Sequence, residues 1–102
     1  MKTIVKHFNY RNRNYTIVKD NDFYMTVEDK YIDKQGRITK ELHYNDGLHT
    51  NKTLDGCIED TQRDLDIEYY KAQGMTTGEA YCKVWNITKP DDVEAIKTMF
   101  CE

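Results

Sequence analysis

Residues 37–65, RITKELHYNDGLHTNKTLDGCIEDTQRDL, hold the change of pattern that decides the fold. Up to Tyr44 the apolar residues alternate with polar ones, as they do along antiparallel strands. From Thr53 onward they recur every three or four positions, the spacing that lines one face of a helix. The chain is therefore expected to be α+β, with strands over residues 3–44 and helices over residues 53–101.

Working back from that switch, Arg37 to Tyr44 reads as a fourth strand carrying Ile38 and Leu42, closed by Asn45-Asp46-Gly47. Asp33-Lys34-Gln35-Gly36 is the turn before it, with a glycine able to take a positive φ angle. Phe23 to Ile32 is the third strand, and Asp20-Asn21-Asp22 the reversal that precedes it. Tyr15 to Lys19 and Thr3 to Tyr10 form a hairpin around Arg11-Asn12-Arg13-Asn14. Short turns join antiparallel neighbours, so four consecutive strands are expected to meander in one sheet.

Working forward, Thr53 is placed to cap a helix whose apolar face is Leu54, Ile58, Thr61, Leu65, Tyr69 and Ala72, and Gly74 stops it. Thr76-Thr77-Gly78-Glu79 has the order of a capping box and opens a second helix with Ala80, Tyr81, Val84 and Trp85. Pro90, followed by Asp91 and Asp92, starts a third with Val93, Ile96 and Phe100. Three amphipathic helices are expected to cover one face of the sheet and leave the other in water. Trp85, Phe100, Leu65 and Ile58 should then meet Phe23, Met25, Val27, Ile17 or their register neighbours in the core.

At 102 residues the chain suits one domain, residues 1–102. Its composition, 38% hydrophobic and 12% aromatic, supplies enough burial for a folded protein. The amino terminus carries no apolar run of signal-peptide length, and nowhere do about 20 apolar residues follow one another, so no membrane association is expected. Three cysteines, Cys57, Cys82 and Cys101, are widely spaced and make no Cys-x-x-Cys pair. That pattern argues against a disulfide framework and for a cytoplasmic location.

Charge is unevenly divided. Residues 1–50 hold nine Lys/Arg against seven Asp/Glu, and residues 51–102 hold six against eleven, giving +2 and −5. A nucleic-acid binder concentrates positive charge, so nucleic acid is disfavoured as the main partner. Asp55, then Glu59 or Asp60, then Asp64 lie four or five residues apart and mark one strip of the first helix. Such a strip is ordinarily a solvated face; its sharper reading is a surface that meets a basic groove on a protein. The opposite candidate is Arg11 and Arg13 on the hairpin turn between Tyr10 and Tyr15, a combination suited to phosphate contact and base stacking.

Catalytic signatures are missing: there is no G-x-S-x-G, no P-loop, no H-E-x-x-H and no glycine-rich dinucleotide turn. A non-enzymatic role without cofactor is expected. The cysteines read as packed thiols. Zinc is the other use they allow, with Cys57, Cys82 and Cys101 as ligands and His43 or His49 as the fourth.

A short, tyrosine- and lysine-rich chain with an acidic helix at Asp55–Glu68, a meander at Thr3–Tyr44 and no catalytic motif resembles the small accessory proteins of phages and mobile elements. Among these it is similar to anti-CRISPR proteins and other inhibitors of bacterial defence. The resemblance implies a stoichiometric, non-catalytic inhibitor that binds a host nuclease effector in the cytoplasm, and it assigns no role to any residue. A small nucleic-acid or nucleotide-binding protein, zinc-stabilised or not, is the alternative.

Overall fold

The computed structural model describes residues 2–102. Four strands, β1 (Lys2–Tyr10), β2 (Arg13–Asp20), β3 (Phe23–Glu28) and β4 (His49–Asn51), form one antiparallel sheet in the order β1-β2-β3-β4. Three helices follow, α1 (Leu54–Ala72), α2 (Thr77–Val84) and α3 (Pro90–Met99). The fold is α+β, strands first. Contacts group the chain into two compact units, Met1–Gln62 and Arg63–Glu102, with the division inside α1.

Each of the two hairpin turns places an asparagine, a residue that tolerates a positive φ, at its reversal. Arg11 and Asn12 stand at φ 50° and 63°, the pairing that suits the twist of a two-residue hairpin, and Asn21 takes φ 55° at the next reversal. Between Ile4 and Lys6 the register of β1 slips by one residue, so Val5 bulges out of the ladder.

The fourth strand is not where the alternation puts it. β3 ends at Glu28 rather than Ile32, and Arg37–Tyr44 makes only an isolated bridge, Ile32 to Ile38. His49–Asn51 pairs with β3 instead. The reason is local competition for the backbone. Asp33 Oδ1 accepts the amides of Gln35 and Arg37 at 2.9 Å each, and Asp46 Oδ2 accepts the amide of His43 at 2.8 Å. Side-chain oxygens thus serve amides that a ladder would otherwise serve. Gly36, at φ 80°, closes the first of these turns.

That irregular segment covers the sheet. By register, His7, Thr16, Val18, Met25 and Val27 share one face, and Phe8, Tyr15, Ile17 and Thr26 the other. On the first face Val18, Met25, Val27 and Leu42 form the buried cluster, with Ile4, Tyr31, Ile32 and Ile38 packed against it. On the second face the opening turns of α1 bring Cys57 and Thr61 to Thr26. Thr26 Oγ1 lies 2.8 Å from Thr61 Oγ1 and 3.1 Å from Cys57 Sγ, all three side chains being buried. The expectation of one wet face is therefore overturned. Thr16, Ile17 and Val18 are buried in succession, as are Met25, Thr26 and Val27, which is the signature of strands covered on both sides.

Thr53 caps α1 through its hydroxyl, which accepts the amide of Gly56 at 3.0 Å. In the second unit the capping box of α2 is complete: Thr76 Oγ1 accepts the Glu79 amide, and Glu79 Oε1 accepts the Thr76 amide. Pro90 opens α3 with Asp91 and Asp92 in its first turn, as expected. α2 buries its small residues, Gly78, Ala80 and Cys82, because α3 approaches there. A methyl group on Gly78 would stand 3.2 Å from Lys97 Cα. The large residue goes outward instead. Trp85 is 44% exposed and Phe23 equally so, which corrects their assignment to the core. Phe23 sits at the turn end of β3 opposite Asp20, beyond the cover. Ile17, Met25, Val27 and Leu65 are buried as expected, and Ile58 and Phe100 partly so.

Candidate functional site

The acidic strip is only in part an open surface. Asp55, Glu59 and Asp64 are exposed on α1, whereas Asp60 is half-buried, with its Oδ2 accepting from Asn51 Nδ2 at 3.1 Å. Asp60 thus helps fasten β4 to the start of α1. Asp55, Glu59 and Asp60 fall in the first unit and Asp64 in the second.

Arg11 and Arg13 lie on and beside the hairpin turn, both exposed, and the guanidinium carbon of Arg11 stands 5.7 Å from the centroid of the Tyr10 ring. This is a cation–π contact within the turn itself.

The thiols are placed differently from one another. Cys57 is buried, its sulfur 3.7 Å from the carbonyl of His49, and burial pushes its pKa above the ordinary thiol value. A thiol so placed is a weak nucleophile. Cys82 is buried in α2 and Cys101 is exposed. His43 is exposed and His49 half-buried on β4. Among the described residues, no three His, Cys, Asp or Glu side chains stand together as a group able to hold a metal ion.

Two features carry chemistry that the residue pattern alone did not single out. The first is aromatic and lies in the second unit. The guanidinium of Arg63 rests 4.2 Å from the centroid of the exposed Trp85 ring, and Tyr81 stands between Trp85, at 5.9 Å, and Phe100, at 5.6 Å. Lys83 lies 4.7 Å from the ring centroid of Tyr70, and Tyr69 is exposed beside it. A tryptophan at this exposure beside an arginine combines the residue types that dominate the energy of protein contacts. The signal was present as Arg63, four residues before Ile67 and otherwise only an interruption of the acidic run; its pairing with Trp85 needs the fold.

The second is a groove of about 520 Å³ in the first unit, between the hairpin end of β1–β2 and the turn that starts after β3. His7, Asn9, Asn14 and Thr16 form its floor, and Ile32 and Lys34 belong to its wall. His7 Nδ1 lies 2.9 Å from Thr16 Oγ1, and Asn9 Nδ2 donates to Asn14 Oδ1 at 3.0 Å. These are the two cross-strand pairs of the register, His7 with Thr16 and Asn9 with Asn14, on the face that further along carries Val18 and Met25.

Among the described residues no helix is long and apolar enough to cross a membrane. Comparison of the chain with protein-family models, with curated proteins and with solved structures gives no match.

Proposed function

We propose that this protein acts without catalysis, as a protein-binding inhibitor of the kind its size and composition resemble: an anti-CRISPR-like protein from a phage or mobile element that binds a host defence nuclease in the cytoplasm. The observation that carries the reading is the exposed Trp85 under the guanidinium of Arg63. A large aromatic surface held in one orientation binds a partner at little entropic cost, because few rotamers remain to be frozen.

The acidic residues of α1 supply a different part of the interaction. Asp55, Glu59 and Asp64 are exposed, and complementary charge acts chiefly on the rate of encounter with a basic surface. Nuclease effectors carry such surfaces because they must hold phosphate. Charge of this sort works at a distance and needs no shared face with Trp85.

Pull-down against defence nucleases, followed by nuclease-inhibition assays at two salt concentrations, tests the reading. Trp85→Ala is expected to leave the fold intact and to weaken binding by about 2 kcal/mol, the usual cost of losing such an anchor. Asp55→Lys with Glu59→Lys is expected to slow association and reduce its salt dependence. Failure of every nuclease to bind removes the proposal. Full inhibition by both variants, with loss on Arg11→Ala and Arg13→Ala, transfers the role to the hairpin turn.

A further inference from the structure

We infer that the groove at the hairpin end of β1–β2 is a binding site for a small, planar, uncharged ligand that presents a hydrogen-bond donor and an acceptor side by side, as a carboxamide or the edge of a nucleobase does. The argument begins with the amide pair. Asn9 and Asn14 spend one donor and one acceptor on each other, at 3.0 Å. One amide oxygen and one amide NH₂ edge are left over, and this holds whichever way the two groups are turned. If both are flipped, the leftover oxygen and nitrogen simply change residues. Both side chains are exposed, so an unused amide oxygen on one and an unused amide nitrogen on the other are open to a ligand. A carboxamide or a nucleobase edge carries a donor and an acceptor together, and so has a partner for each of the two atoms.

The surroundings fit the same ligand. Beside the amide pair, His7 is held through Nδ1 by the buried Thr16 hydroxyl, which leaves Nε2 as the second polar atom of the floor. Ile32 gives an apolar wall. The charges nearby do not favour an ion of either sign: Lys34 and Asp29 both line the groove. Asp33 also lines it but is turned to its own loop, accepting from Gln35, Arg37 and the Arg37 guanidinium. The volume, about 520 Å³, lies in the range of small-molecule sites. Gly36 lines the groove beside His7 Nε2, and its φ of 80° is the reason a glycine stands there.

The test is a titration of ¹⁵N-labelled protein with nicotinamide, adenosine, cytidine and AMP, followed by NMR at the side-chain amides of Asn9 and Asn14 and at the Gly36 backbone amide. The expected result is saturable shifts at these three positions, with half-saturation near about 1 mM or tighter. Nicotinamide shifting them alone identifies a carboxamide; adenosine or cytidine shifting them identifies a base edge. Asn14→Leu and, separately, Asn14→Asp should weaken that binding about tenfold, with the remaining spectrum unchanged. The inference is overturned if no probe saturates, or if the shifts persist in Asn14→Leu. It is also overturned if AMP alone binds, since that would place the phosphate, not the base, in control.

Discussion

The two faces of the sheet are sealed by different means. One is closed by a regular helix through polar contacts, the hydroxyls of Thr26 and Thr61 and the thiol of Cys57 meeting out of water. The other is closed by the irregular stretch between β3 and β4 around an apolar cluster, with Leu42 wholly buried among Val18, Met25 and Val27. A helix satisfies its own backbone and can bring a few polar side chains inside. A coil satisfies its backbone with side chains such as Asp33 and Asp46, and what it sends inward is therefore hydrocarbon. Among the described residues no buried side-chain nitrogen or oxygen lacks a partner, so both solutions are complete.

The contrast is broken most directly at Leu42. Leu42→Ala should cost about 2–5 kcal/mol, as for a leucine in the centre of a core, although the residue lies in no strand or helix. Chemical denaturation measures it; a cost below about 1 kcal/mol would mean that the coil merely rests on the sheet. The helix-covered face should respond less. Thr26→Val keeps the volume and leaves Thr61 donating to the Cys57 carbonyl at 2.9 Å, so about 1 kcal/mol is expected. Adding Thr61→Val should cost less than the two single changes together, because the second change removes a hydroxyl already deprived of one partner.

The smallest effect sharpens the comparison by pH. Backbone amides hold Asp33 and Asp46 below the ordinary carboxylate range: the Arg37 amide is the chief cause for Asp33 and the His43 amide for Asp46. A carboxylate whose pKa is depressed on folding lends stability that is full above the unfolded value, about 4, and is lost as the pH falls through the folded value. Acid should therefore loosen the coil-covered face while leaving the Thr26–Cys57–Thr61 face unaffected, since neutral hydroxyls do not titrate there. Hydrogen exchange of the amides in the coil 32–46 and in the opening turns of α1, compared between about pH 6 and pH 3, reads the two covers separately. Uniform loss across them would contradict the distinction. Both carboxylates keep contact with water, Asp33 and Asp46 being only half-buried, so screening keeps the change small.

The same contrast explains what could be read from the residues. A helix announces itself by spacing and caps, and Thr53, the Thr76–Glu79 box and Pro90 stand where their chemistry requires. A coil that seals a sheet has no period. Ile38 and Leu42 alternate in a way that imitates a strand, and the true fourth strand, His-Thr-Asn at 49–51, is too short and too polar to show alternation. Trp85 misleads for a related reason. Its place in an apolar stripe suggests burial, yet the close approach of α3 at Gly78 selects small residues for the buried side and turns the indole outward. The acidic residues were legible as a strip, but the engagement of Asp60 by Asn51 depends on β4 and so could not be seen. The groove was hidden likewise, because His7, Asn9, Asn14 and Thr16 become neighbours only through the β1–β2 register.

The slipped register at Val5 bears on how the molecule behaves in a crowded solution. β1 is the long outer strand of the sheet, and its outward row of amides and carbonyls is a template on which another chain could lay a strand. The bulge interrupts that row near its start, and the lysines at 2 and 6 flank the interruption with charge. At the opposite border β4 offers only three residues. A newcomer would find a broken, cationic border on one side and a very short one on the other, so strand-by-strand growth into fibres has no good place to begin.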